Sequence, residues 1–193
     1  MIPTRPITSL RYLSLYAMGA VLLAGLWVLV SAKQGAAVSI SERLSNNRRQ
    51  FIGMGLALTL LGLVFYSSVL GWLAPTYHLG VGFFVLLAAA YVAQLLVSWA
   101  PYVGKSTLHT QLHTRGGEFV ALAMFGCLAM VFAGNYRTLP WASYWLCLVT
   151  MLFAVVAIAL YIGSPRIHKH MAVYESVYVV LFAASVAALT LRV

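Results

Sequence analysis

Residues 98–118 read SWAPYVGKSTLHTQLHTRGGE, and long apolar runs flank them on both sides. The stretch holds two of the five histidines, two of the twelve basic residues and one of only three acids. A spanning helix needs ~20 apolar residues, and each flank supplies close to that. The pattern is therefore helix, polar connection, helix, at the face of a membrane.

Working outward, the same unit repeats. Apolar runs fall at 12–32, 51–73, 81–100, 116–134, 141–162 and 171–191. The fourth is short in its apolar part and extends back through the Gly116-Gly117 pair. The 193 residues are 63% hydrophobic and 8% charged, with mean hydropathy +0.93. Soluble domains sit near half apolar and a quarter charged, so an ordinary soluble protein is excluded. The expectation is a single all-α domain over residues 1–193, an integral membrane bundle of six transmembrane helices.

The first run has Arg5 and Arg11 ahead and Val30-Ser31-Ala32 behind, the flanks of a signal peptide. It is longer than the ~7–15 residues of a signal-peptide apolar region, so a retained helix is expected. Pro75, Pro101, Pro140 and Pro165 each read as lying in a connection, where proline ends one helix before the next. Trp72, Tyr77, Trp99, Tyr102, Tyr136, Trp141, Tyr144 and Trp145 read as interfacial anchors. Small residues four apart, such as Gly55 and Thr59 or Ala89 and Ala93, permit close helix approach in lipid. Gln94, mid-run, reads as interhelical glue. Cys127 and Cys147 read as small core residues.

Charge gives orientation. The formal net charge is +9, and there is no aspartate; the acids are Glu42, Glu118 and Glu175. Eight basic residues (Lys33, Arg43, Arg48, Arg49, Lys105, Arg115, Arg166, Lys169) fall on one side of the alternating spans, and four (Arg5, Arg11, Arg137, Arg192) on the other. Basic loops mark the cytoplasmic side, which puts both termini outside; Arg5 and Arg11, close before the first run, argue the other way. Such loops suit anionic lipid head groups and not nucleic acid.

His109 and His113, four apart, share a face if their segment is helical. That spacing can chelate a metal, yet a zinc-protease helix would carry glutamate after the first histidine, and here Thr110 stands there. His168 and His170 precede the sixth run inside Ser164–His170, which equally reads as a basic loop. Glu175, one turn into that run, is costly near hydrocarbon and usually faces an interior, or else pairs with Arg166 or Lys169. Gly104-Lys105-Ser106-Thr107 lacks the earlier glycine of a phosphate loop, because Trp99 occupies its place. No histidine lies mid-run, which disfavours haem. No cofactor is favoured.

Two segments carry a resemblance. Val38-Ser39-Ile40, Asn46-Asn47-Arg48-Arg49-Gln50-Phe51 and the Gly53–Leu63 run form one; Pro101, Gly104 and Leu108-His109-Thr110 form the other. Together they resemble the six-helix bacterial and archaeal membrane family described as domain of unknown function 998, distantly similar to the DRAM-like autophagy modulators. The resemblance implies a six-helix bundle in a bacterial or archaeal plasma membrane, no assigned reaction, and His109 as a family position.

Two functions follow as expectations. The first is a multi-pass lipid-, small-solute- or partner-binding module. In it His109, Arg115, His168 and Glu175 line one polar cavity at the eight-charge end, with anionic lipid head groups and other membrane proteins as partners. The alternative is a metal-dependent membrane enzyme, a lipid hydrolase, using His109, His113, Glu118 and His170.

Overall fold

The computed structural model describes residues 5–31, 48–100, 107–163 and 171–192. Every regular element among them is helical. A 3₁₀ turn, Thr8–Leu10, leads into α1 (Leu13–Ser31). Then come α2 (Arg48–Ser68, continued by Val69–Leu73 and Ala74–Thr76), α3 (Val81–Trp99), α4 (Leu108–Asn135), α5 (Trp141–Gly163) and α6 (Met171–Leu191). Four of these, α2 to α5, are long and apolar enough to cross a membrane. Shorter apolar stretches fall at Thr8–Ala24 in α1 and Ser176–Leu191 in α6.

Each helix packs on its chain neighbours, and α6 packs on α1. The result is a closed ring of alternating direction. Phe83 and Leu87 of α3, Cys127, Leu128 and Val131 of α4 and Val69 and Leu73 of α2 fill its interior. Large apolar side chains such as Leu60, Val85, Leu122, Leu152 and Val180 cover the outside. Close crossings occur where a side chain is missing. A Cβ on Gly55 would stand 3.1 Å from Ser98 O, and one on Gly116 2.8 Å from a Val97 methyl. Gln94 donates to Leu58 O at 3.2 Å and so ties α3 to α2. Thr150 Oγ1 and Ser185 Oγ, 2.8 Å apart, tie α5 to α6.

Two sequence expectations are corrected. Pro75 does not lie in a connection; it is buried inside the last turn of α2. Without an N–H it leaves Gly71 O, four residues back, with no helical donor, and its ring crowds that carbonyl. The chain widens into a π turn at Val69–Leu73, and the N–H of Ile7 takes the freed Gly71 O at 2.7 Å. Widened turns of this kind accommodate such insertions. The helix ends three residues further on, with His78 in the left-handed conformation (φ 52°). Leu79 N–H donates to Ala74 O and His78 N–H to Pro75 O, the paired bonds of a Schellman cap.

Trp72 and Tyr77 are not interfacial anchors on the outer surface, since each is only 7% exposed. Both belong to the ring's buried core. Trp99, Tyr136, Trp141 and Trp145 are exposed.

Candidate functional site

At one end of the ring, α4 runs past its neighbour. Thr107 caps it: its hydroxyl accepts the Thr110 N–H at 3.3 Å, satisfying one of the free donors at a helix start. The helix therefore begins at Leu108, eight residues ahead of the expected 116. His113 stands level with the end of α3, its Nδ1–H donating to Ala100 O at 2.8 Å. That acceptor is a carbonyl, so the proton sits on Nδ1.

His109 lies one turn beyond and is exposed. The two histidines continue the face that carries Gly116, Ala123 and Cys127, all buried, lower down α4. Above the end of α3 that face is no longer covered by this helix.

Arg115 is 81% exposed, and its Nη1 meets Glu118 Oε2 at 2.8 Å. Arg48 and Arg49, at the start of α2, are exposed at this same end. His168 and His170 lie outside the described residues, as does the side chain of Glu175, whose backbone is in the first turns of α6. The described residues thus bring His109, His113, Arg115 and Glu118 to the opening turns of α4, of which only the part ahead of His113 runs past α3. Among the described residues no three His, Cys, Asp or Glu side chains gather as a metal site would require.

A second polar constellation occupies the opposite end; of its members, the sequence marks Arg11 as flanking charge and Trp72 and Tyr77 as interfacial anchors. Arg11 Nε donates to Thr190 O at 2.9 Å and Nη2 to Leu191 O at 3.2 Å. Its guanidinium also stacks 5.1 Å from the Trp72 ring centroid. Ser68 Oγ donates to Leu10 O at 2.6 Å, and Ser14 Oγ lies 3.4 Å from Thr190 Oγ1. The Tyr77 hydroxyl donates to Leu189 O at 2.8 Å, and Asn135 Nδ2 to Tyr77 O at 3.1 Å. Burial pushes the Tyr77 phenol upward, against the opposing pull of Arg192 and Arg11. A cation at the last carbonyls of α6 also complements the helix dipole. Lone hydroxyls in apolar runs (Ser14, Ser68, Thr190) were the available sequence signal, since buried polar groups seek partners.

Between α2, α3, α4 and α6 lies a void of ≈ 30 Å³, walled by apolar side chains including Phe65, Val69, Leu73, Phe182 and Leu189. Higher up, the Tyr66 hydroxyl is buried without a partner, its ring 4.8 Å from that of Tyr91.

Comparison of the chain with family models, with curated proteins and with solved structures finds no match.

Proposed function

We propose that this chain is a six-span membrane protein, with α1 and α6 completing the set, that acts as a lipid-binding module. Its working surface is the end bearing His109 and Arg115, and its ligand there is an anionic lipid head group. The observation that carries the reading is a set of exposed side chains at one end of the ring: His109 and Arg115 in the opening turns of α4, and Arg48 and Arg49 at the start of α2. In the sequence, Lys33, Arg43, Lys105, Arg166 and Lys169 fall in the segments between α1 and α2, α3 and α4, and α5 and α6, outside the described residues. Arginine binds phosphate bidentately, and a phosphate oxygen can take the place of the partly buried Glu118 carboxylate on exposed Arg115. His168 and Glu175 are proposed as further members of the site on the sequence alone. The resemblance to the family of unknown function 998 agrees with six helices, and a plasma membrane is the proposed location.

The test uses nanodiscs of phosphatidylcholine with and without phosphatidylglycerol. Phosphatidylglycerol is expected to raise the Tm, and His109→Gln with Arg115→Gln to remove most of that gain. An undiminished gain in the double variant overturns the reading.

The alternative, a metal-dependent lipid hydrolase, draws on one observation: His109 and His113 are helical and share a face. Elemental analysis of the purified protein decides it, with less than a stoichiometric metal ruling against it.

A further inference from the structure

Two arginines meet at the end of α6, and among the described residues no carboxylate stands beside them. Arg11 gives Nε to Thr190 O and Nη2 to Leu191 O, and its Nη1 takes no acceptor among the described residues. Leu191 O belongs to the peptide that joins Arg192, so the Arg11 fork reaches the root of the second arginine. Both guanidinium groups act on the Tyr77 hydroxyl, and Arg192 is hydrogen-bonded to it. Arg192 is exposed and Arg11 half-buried. Like charges this near repel each other. Glu118 and Glu175 cannot offset them, because they stand in the opening turns of α4 and α6, at the far end of the ring.

The neighbouring turn of α2 carries two more polar groups in need of partners. The Trp72 ring lies against the Arg11 guanidinium, its centroid 5.1 Å away. Trp72 is 7% exposed, and its indole nitrogen is buried with no hydrogen-bond partner. Thr76, four residues on and next to Tyr77, has its hydroxyl in the same condition. A buried donor left unpaired is costly and calls for an explanation. Indole and guanidinium groups donate and never accept. Arg11, Arg192 and Trp72 therefore all want the same thing, an acceptor, and two of them are cations.

We propose that Arg11, Trp72, Thr76 and Arg192 form an anion site at the end of α6, and that its ligand is a phosphate group, free or carried by a lipid. The site lies at the opposite end from His109 and stands without the lipid-binding reading. The donor set selects the ligand. Phosphate offers several oxygens, and the planar arginine fork matches two of them at once. A halide offers no such pair. The exposed Arg192 gives the ligand an open approach. The carbonyls that end α6 oppose an anion through the helix dipole, and Arg11 offsets this by bonding two of them.

The chain carries its own reporter. It has five tryptophans, and the indole N–H of Trp99 is already bonded to Thr59 Oγ1 at 3.0 Å. Protein isotope-labelled at the indole nitrogens is placed in a maltoside detergent for nuclear magnetic resonance. Trp72→Phe identifies the Trp72 signal by its loss. Sodium phosphate and, separately, soluble dihexanoyl phosphatidic acid are titrated against sodium chloride of equal ionic strength.

The Trp72 signal is expected to shift saturably while the other indole signals stay in place. A response to both reagents assigns the site to the phosphate group itself, and a response to the lipid alone assigns it to a head group. Arg192→Gln should weaken the apparent affinity roughly tenfold, the equilibrium weight of one charge-assisted hydrogen bond. His109→Gln with Arg115→Gln should leave it unchanged. Four results overturn the site: no shift with either reagent, an equal shift with chloride, an unchanged affinity in Arg192→Gln, or loss of the shift in the His109 and Arg115 double variant. If Arg192→Gln does not assemble, Arg192→Lys, which keeps the charge and loses the fork, decides by the same criteria with a smaller weakening.

Discussion

The two ends of the ring handle polar groups in opposite ways. At the clasp end, Arg11, Ser14, Ser68 and Tyr77 spend their hydrogen bonds on the carbonyls and hydroxyls of distant helices. At the His109 end, the charged pair Arg115–Glu118 lies within one helix, three residues apart, with the arginine exposed and the glutamate partly buried. One end uses its polar chemistry to join distant helices; at the other, His113 bonds the end of the neighbouring α3 while His109 and Arg115 are exposed. A mutation at the first should therefore register as stability, and one at the second as binding.

Arg11→Ala offers the strongest test of this contrast. It removes two charge-assisted hydrogen bonds and a cation stacked on Trp72. The partly exposed position discounts the sum to about 2 kcal/mol, read as a fall in Tm in detergent. A loss no larger than that of Arg115→Ala would break the comparison.

Tyr77→Phe should lose about 1 kcal/mol, the net worth of its buried bond to Leu189 O. Its pH dependence sharpens the point. The phenol must be protonated to donate, and its folded pKa is raised chiefly by burial. The contribution is complete below the ordinary tyrosine value of about 10 and is lost as pH rises through the higher folded value. Wild type should lose this increment in alkaline unfolding scans, and Tyr77→Phe should not.

At the other end, Thr107→Ala should cost about 1 kcal/mol at most, the usual weight of an N-cap. Local amide exchange at Leu108–Gln111 would rise while the remainder of α4 stays protected. Exchange spreading to Gly116 would show that the projection is not an independent unit.

The smallest effect is expected from Arg115→Gln. An exposed i, i+3 ion pair contributes under about 0.5 kcal/mol, so Tm without anionic lipid should barely move. A large drop would assign Arg115 to the structure and not to the ligand face.

Much of the helix plan is legible along the chain because it depends on local apolar length. The expected 81–100, 141–162 and 171–191 fall within a residue or two of Val81–Trp99, Trp141–Gly163 and Met171–Leu191. The misses have a common cause. Hydropathy detects the part of a helix that suits an apolar setting, so the polar start of α4 at Leu108 was invisible until its cap was seen. Pro75 was read as a terminator because sequence shows the missing N–H but not the Ile7 donor that makes its loss tolerable.

At the candidate site, the shared face of His109 and His113 followed from spacing. The bond from His113 to Ala100 O did not, because a backbone carbonyl leaves no mark on residue identity.

Sequence alone determined the all-helical character and the alternation of runs and connections. Each of these depends on residues within one turn or one span of each other. Tertiary structure decided that the ring closes, that Trp72 and Tyr77 point inward, and that Arg11 serves the end of α6. Arg11 and Thr190 are 179 residues apart in the chain. Their contact depends on the accumulated directions of every helix between them, and no local pattern encodes that sum.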